Sequence, residues 1–130
     1  MTTDLRYLAF TALLTAALWI PYVVAQVSTN GPLRPPNYVD PAARPLPLWG
    51  RRADRAHLNA VEAFAPFAAL VLVAHVSGKA NATTAFCSAS FFWLRLAHAG
   101  IFLLAIPYLR TLIFTLGFFA VVGIFVQLFA

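Results

Sequence analysis

RRADRAHLNAVEAFAPFAALVLVAHV, residues 51–76, combines two properties that seldom share one helix: membrane-spanning length and charge within the span. At ~1.5 Å per residue, the run from about Arg52 to Val76 crosses a hydrocarbon core of ~30 Å. Arg55, Asn59, Glu62 and Pro66 recur at intervals of four, three and four, which places them on one helical face. Arg52 and His57 lie beside or near that stripe. Ionisable groups at bilayer depth are costly and turn towards protein or a cavity, so the stripe is a candidate site.

Three further apolar runs flank this one, from Leu5 to about Val27, from about Ala82 to Ile106 and from about Leu109 to Ala130. Of the 130 residues 62% are hydrophobic and 10% charged, with a mean hydropathy of +0.80. A water-soluble domain of this length cannot hide so much apolar surface. The expected fold is therefore an all-α membrane protein, a four-helix up-and-down bundle forming a single domain over residues 1–130. A signal peptide competes for the first run, because Arg6 precedes it and Val23-Val24-Ala25 resembles a cleavage site. The run exceeds the ~7–15 residues of a signal core, and Trp19 and Pro21 fit a helix nearing an interface.

The connector 28–50 holds Pro32, Pro35, Pro36, Pro41, Pro45 and Pro47, which exclude a regular helix along its length. The turn from the second to the third run is short and polar, and Pro107-Tyr108 separates the third from the fourth. Arg34, Arg44, Arg51 and Arg52 fall in or beside the first connector and Arg110 at the last turn, against Arg6 and Lys79 on the other side. The positive-inside rule then puts both Arg-rich connections in the cytoplasm and both termini on the non-cytoplasmic side. The net charge of +5 is thus topology-setting charge rather than a nucleic-acid face.

Two readings of the polar stripe stand. A buried Arg–Asn–Glu cluster can serve only to fix helix packing. Against that, Arg51, Arg52, Arg55, Arg95 and Arg110 outnumber Asp54 and Glu62 in the same half, and a surplus of guanidinium groups favours a bound anion. Arg55 and Arg95 are the possible partners of Glu62. Cys87 alone builds no disulfide, and with three scattered histidines it builds no metal site.

The run Arg55-Ala56-His57-Leu58-Asn59-Ala60-Val61-Glu62 followed by Pro66 resembles the R-A-x-x-N-x-x-E-x-x-x-P signature of the MAPEG family, the membrane-associated proteins of eicosanoid and glutathione metabolism. Chain length, helix number, the Pro-rich connector and Pro107-Tyr108-Leu109-Arg110-Thr111 are similar as well. The resemblance implies a homotrimer that binds glutathione as co-substrate between subunits near the cytoplasmic side. It implies a glutathione transferase or peroxidase acting on lipophilic electrophiles or lipid hydroperoxides. In that scheme Arg55, His57, Asn59, Glu62 and Arg95 hold the peptide, and Arg110, the catalytic residue, stabilises its thiolate.

Departures from the family pattern bear on turnover. Ala63 and Phe102 stand where family enzymes often have Tyr, and His98 takes the place of another. His98 either replaces the lost phenol as a peptide contact or is a packed imidazole. Tyr108, near Arg110, either supplies a hydroxyl or anchors the interface. The alternative to an enzyme is a non-catalytic lipid-binding or scaffold protein on the same fold, and a small transporter or assembly subunit is a third reading. A bacterial inner membrane is the expected location.

Overall fold

The computed structural model describes residues 1–40 and 45–130; Pro41 and Arg44 of the connector lie outside them. The first apolar run forms α1 (Thr3–Ala17) and α2 (Trp19–Asn30), which together make one span. Thr2 caps α1, its hydroxyl accepting the Leu5 N–H at 3.5 Å, and Asp4 sits in the first turn, where the helix dipole favours a carboxylate. The interruption at Leu18 has a local cause. Pro21 has no hydrogen to give the Ala17 carbonyl, and its ring crowds that carbonyl. The Leu18 N–H still reaches Leu14 at 3.1 Å, so the span continues. It ends at Gly31, whose φ of 89° lies in the left-handed region that glycine tolerates.

The span runs past the expected boundary at Val27 because polar side chains extend it. Gln26 donates to Tyr22, and Asn30 donates to Gln26 and to the Pro45 carbonyl. Beyond it the proline-rich connector holds one short 3-10 turn at Pro35–Asn37. Tyr38 donates to the Gly31 carbonyl at 2.7 Å and Asn37 to that of Pro32 at 2.9 Å, folding the segment back on itself.

α3 (Leu48–Val76) begins four residues before the expected Arg52, with Pro47 at its N-cap. Arg51 and Arg52 mark where the helix leaves the lipid, not where it starts; the turn of Leu48, Trp49 and Gly50 precedes them. Gly50 permits the close crossing of α2, because a Cβ there would lie 2.7 Å from the Ala25 Cβ. Pro66 sits inside α3.

The Asn81 side chain starts α4 (Ala82–Leu104), accepting from Thr83 and Thr84 while Thr84 accepts from the Asn81 N–H. α4 stops two residues before the expected Ile106. Ala105 takes φ 60°, its N–H bonding Phe102 and that of Ile106 bonding Ile101, the paired closure of a Schellman motif. α5 (Pro107–Phe129) follows at once, with proline at its first position.

α4 packs most extensively on α5 and then on α1, while α3 touches α1, α2, α4 and α5. Three long-range bonds set the topology. Ser88 donates to Asp4, Lys79 to the Ala130 carbonyl and Asn81 to Gln127. Both termini therefore meet the α3–α4 turn at one end, here the terminal end, and the connector meets the α4–α5 turn at the other, the connector end. The four spans alternate in direction. The core of Phe67, Val71, Ala74, Cys87, Phe91, Ala120 and Ile124 belongs to the half nearer the terminal end. Phe67 and Phe91 stack there with centroids 4.0 Å apart and planes 16° apart, joining α3 to α4. Most other large apolar side chains, among them Leu13, Phe86, Trp93 and Phe119, face outward, as lipid requires.

Candidate functional site

On α3 the alanines Ala53, Ala56 and Ala60 are buried in the connector half, and the stripe Arg55–Asn59–Glu62–Pro66 runs alongside them. The small alanines let α3 lie close to its neighbours, while the stripe borders a hollow between α3, α4 and α5. Two clefts share Asn59 and Phe114.

The cleft nearer the connector end, of about 340 Å³, is lined by Arg55, Asn59, His98, Phe102, Arg110 and Thr111 with Phe114. It presents two guanidinium groups and an imidazole, and no carboxylate lines it. Arg110 lies over the face of Phe102, its guanidinium carbon 5.0 Å from the ring centroid, a cation–π contact that fixes the charge in place. Phe102 thus lacks a phenol's donor but supports the arginine. His98, only 2% exposed, has its ring 5.7 Å from that of Phe102 and 6.0 Å from that of Phe114. Its Nδ1 is buried and has no hydrogen-bond partner among the described residues.

The deeper cleft, of about 260 Å³, is mostly apolar. Pro66, Phe91, Phe114, Gly117, Phe118 and Val121 surround it, and Asn59, Glu62 and Arg95 form its polar end, with Ala63 beside them. Arg95 is 5% exposed, and its Nη2 donates to Asn59 Oδ1 at 2.8 Å. An amide, not Glu62, is therefore the hydrogen-bond partner of Arg95. Among the described residues, no carboxylate pairs with Arg55, Arg95 or Arg110, and Glu62 is exposed at the cleft rim.

Of the eight residues singled out in the sequence, Arg55, Asn59, His98 and Arg110 meet at the cationic cleft, and Asn59, Glu62 and Arg95 at the apolar one. His57 and Tyr108 line neither. His57 points away from the stripe, half-buried, with its Nδ1 unpartnered among the described residues. Tyr108 is 90% exposed at the α4–α5 turn. Among the described residues no group of three or more His, Cys, Asp or Glu side chains is placed to hold a metal ion.

Two features escaped the sequence. One is the buried carboxylate of Asp4, which accepts from the buried Ser88 at 3.4 Å. An aspartate two residues after a capping threonine reads as a helix start, and only the packing of α1 on α4 reveals the partner. The other is the apolar cleft. Glycine at 117, in the most apolar of the four spans, gave the one available signal.

A four-span bundle with a cationic cleft and an apolar furrow side by side in its α3–α5 hollow places the chain among integral membrane proteins. A sequence profile of the MAPEG family matches residues 5–130, essentially the whole chain, and the chain belongs to that family. It is thus a membrane protein of the glutathione and eicosanoid metabolism kind. No curated protein and no solved structure matches it.

Proposed function

We propose that the protein binds glutathione in the cationic cleft and uses it, as a transferase or peroxidase, against lipophilic electrophiles or lipid hydroperoxides. One observation carries this reading: Arg55 and Arg110 line one cleft, Arg95 bonds the Asn59 that borders it, and none of the three has a carboxylate partner among the described residues. Guanidinium groups fork onto carboxylates, and glutathione carries two. Arg55 and Arg95, with Asn59 between them, are the peptide-holding groups, and Glu62 at the rim complements its ammonium. His98 lines the same cleft.

Arg110 carries the chemistry. A free thiol has a pKa of ~8.5 and only its anion is a good nucleophile, so a guanidinium in contact with the sulfur favours the reactive form. The thiolate forms a C–S bond as the leaving group departs with its electron pair. With a hydroperoxide it takes the terminal oxygen as the O–O bond breaks. The lipid alcohol then leaves with a proton, and a second thiol converts the sulfenic acid to disulfide and water. His57 and Tyr108 have no part in the single-chain cleft; a role for either requires a neighbouring subunit. We place the connector end in the cytoplasm of a bacterial inner membrane and the assembly as a homotrimer, whose adjacent subunit covers the exposed Glu62.

The test is glutathione binding to the purified protein by calorimetry, with the ultraviolet thiolate band followed across pH. Binding with a thiolate band that disappears in Arg110→Ala is the expected result. Lipid retention with no glutathione binding would point instead to a lipid-binding scaffold. Crosslinking that stops at dimer would remove the trimer.

A further inference from the structure

Arg110 stands where electrostatics oppose it. It lies just inside the N-terminal end of α5, where the helix dipole is positive, and it shares the cationic cleft with Arg55. Among the described residues no carboxylate offsets either repulsion. What it does have is the face of Phe102, 5.0 Å from its guanidinium carbon. That ring is itself held. The Phe102 carbonyl belongs to the closing turn of α4 and accepts the Ala105 N–H at 3.2 Å. One turn earlier, His98 sets its ring 5.7 Å from that of Phe102 and 6.0 Å from that of Phe114. His98 and Phe102 are four residues apart on α4, and Arg110 and Phe114 are four apart on α5, so each pair shares a helix face. Across the hairpin His98 meets Phe114 and Phe102 meets Arg110, two rungs of one frame.

We propose that Phe102 is a positioning residue, whose ring face holds the Arg110 guanidinium in the cleft while His98 and Phe114 form the rung that keeps the ring in place. Three observations favour this over a ligand contact for His98. The imidazole is 2% exposed, and its Nδ1 is buried with no hydrogen-bond partner among the described residues, so that atom faces packing rather than open space. Its plane is tilted 53° to Phe102 and 50° to Phe114, and both centroid distances are those of packed aromatic pairs. Finally, Phe102 and His98 stand where family enzymes often have Tyr, so this chain presents two ring faces in place of two hydroxyl groups. A ring face restrains the cation without occupying its N–H donors, which stay free for an anion. That the anion is the glutathione sulfur rests on the function proposed above; the frame does not.

The experiment follows modification of Arg110 by phenylglyoxal, a guanidinium reagent, in the purified full chain, with sites mapped by mass spectrometry and Arg55 of the same cleft as internal reference. Phe102→Leu speeds modification of Arg110 relative to Arg55 by roughly five- to tenfold, and Phe102→Tyr, which keeps the ring, leaves the ratio as it was. His98→Phe also leaves it, whereas His98→Ala raises it by less than Phe102→Leu does. An unchanged ratio in Phe102→Leu, or equal acceleration at Arg55, overturns the proposal, because the ring would then be a wall of the cleft and not a restraint on the arginine. Glutathione is added in a second measurement. Phe102→Leu moves the ultraviolet thiolate band to higher pH by about 0.5–1, Phe102→Tyr restores it, and His98→Phe binds glutathione with unchanged affinity. Weaker binding in His98→Phe with Arg110 still protected would make His98 a peptide contact and overturn its place in the frame. If no glutathione binds while the modification ratio still depends on the ring at 102, the frame stands and the glutathione reading falls.

Discussion

The same three helices build two unlike halves. Towards the terminal end α3, α4 and α5 close on one another: Phe67 stacks on Phe91, Gly123 admits the Cys87 sulfur, and Asn81 and Lys79 tie the turn to α5. From mid-span towards the connector end they part around two clefts, the apolar one backed by Phe91 and Val121 at the edge of the packed half, and the hydrogen bond between Arg95 and Asn59 joins α4 to α3 there. The first half supplies rigidity and the second supplies a place for chemistry. A site that gathers cations without carboxylate partners is electrostatically unfavourable by itself, and a close-packed half beside it holds the helices in register.

The largest effect that would break this contrast lies in the packed half. Phe67→Ala removes one ring of the stack and leaves a cavity, costing about 3–5 kcal/mol of stability; denaturant titration in detergent measures it, and a loss below 1 kcal/mol would show that the stack does not hold the bundle. In the open half the expected loss is functional. Arg110→Ala lowers turnover of a generic electrophile by about 10²–10³-fold with the melting temperature unchanged. Melting that falls in step with activity would make Arg110 a packing residue.

A paired substitution sharpens the comparison. Alanine at 117 and alanine at 123 share the gain in helix preference, so their difference isolates packing. Gly123→Ala is expected to be about 1–3 kcal/mol less stable than Gly117→Ala, and equal stabilities would mean that the two halves are equally roomy. The smallest effect belongs to the turn beside the cationic cleft. Ala105 holds a left-handed conformation, and Ala105→Gly relieves that strain, adding about 1 kcal/mol. A decrease in stability would show that the methyl group of Ala105 makes a contact worth more than the strain.

The four spans were legible because bilayer crossing leaves a plain mark, a run of twenty or more predominantly apolar residues. The stripe on α3 was legible for the opposite reason, since Arg55, Asn59 and Glu62 stand out against lipid. Helix ends were less so. The start of α3 at Leu48 was obscured by the charge of Arg51 and Arg52, which reports depth in the membrane rather than backbone geometry. The close of α4 at Leu104 depends on a left-handed alanine that no residue type announces. The sequence offered Arg95 as a possible partner of Glu62; the placement of α4 gave it instead the amide of Asn59, on the same face of α3. The furrow was hidden because absence of a side chain at Gly117 is visible only against its surroundings. His57 shows the limit of a local pattern, being near the stripe in sequence and on another side of the helix in space.

Pro66 adds a demand that no other residue of α3 makes. Its ring nitrogen carries no hydrogen, so the main-chain oxygen of Glu62, one turn earlier, loses its customary donor well inside the span. Hydrocarbon has nothing to offer that oxygen, and such an orphan is tolerated only beside protein or a polar guest. At the edge of the furrow α3 therefore has one main-chain acceptor without its α-helical donor, in every copy of the chain and whatever its side chains do.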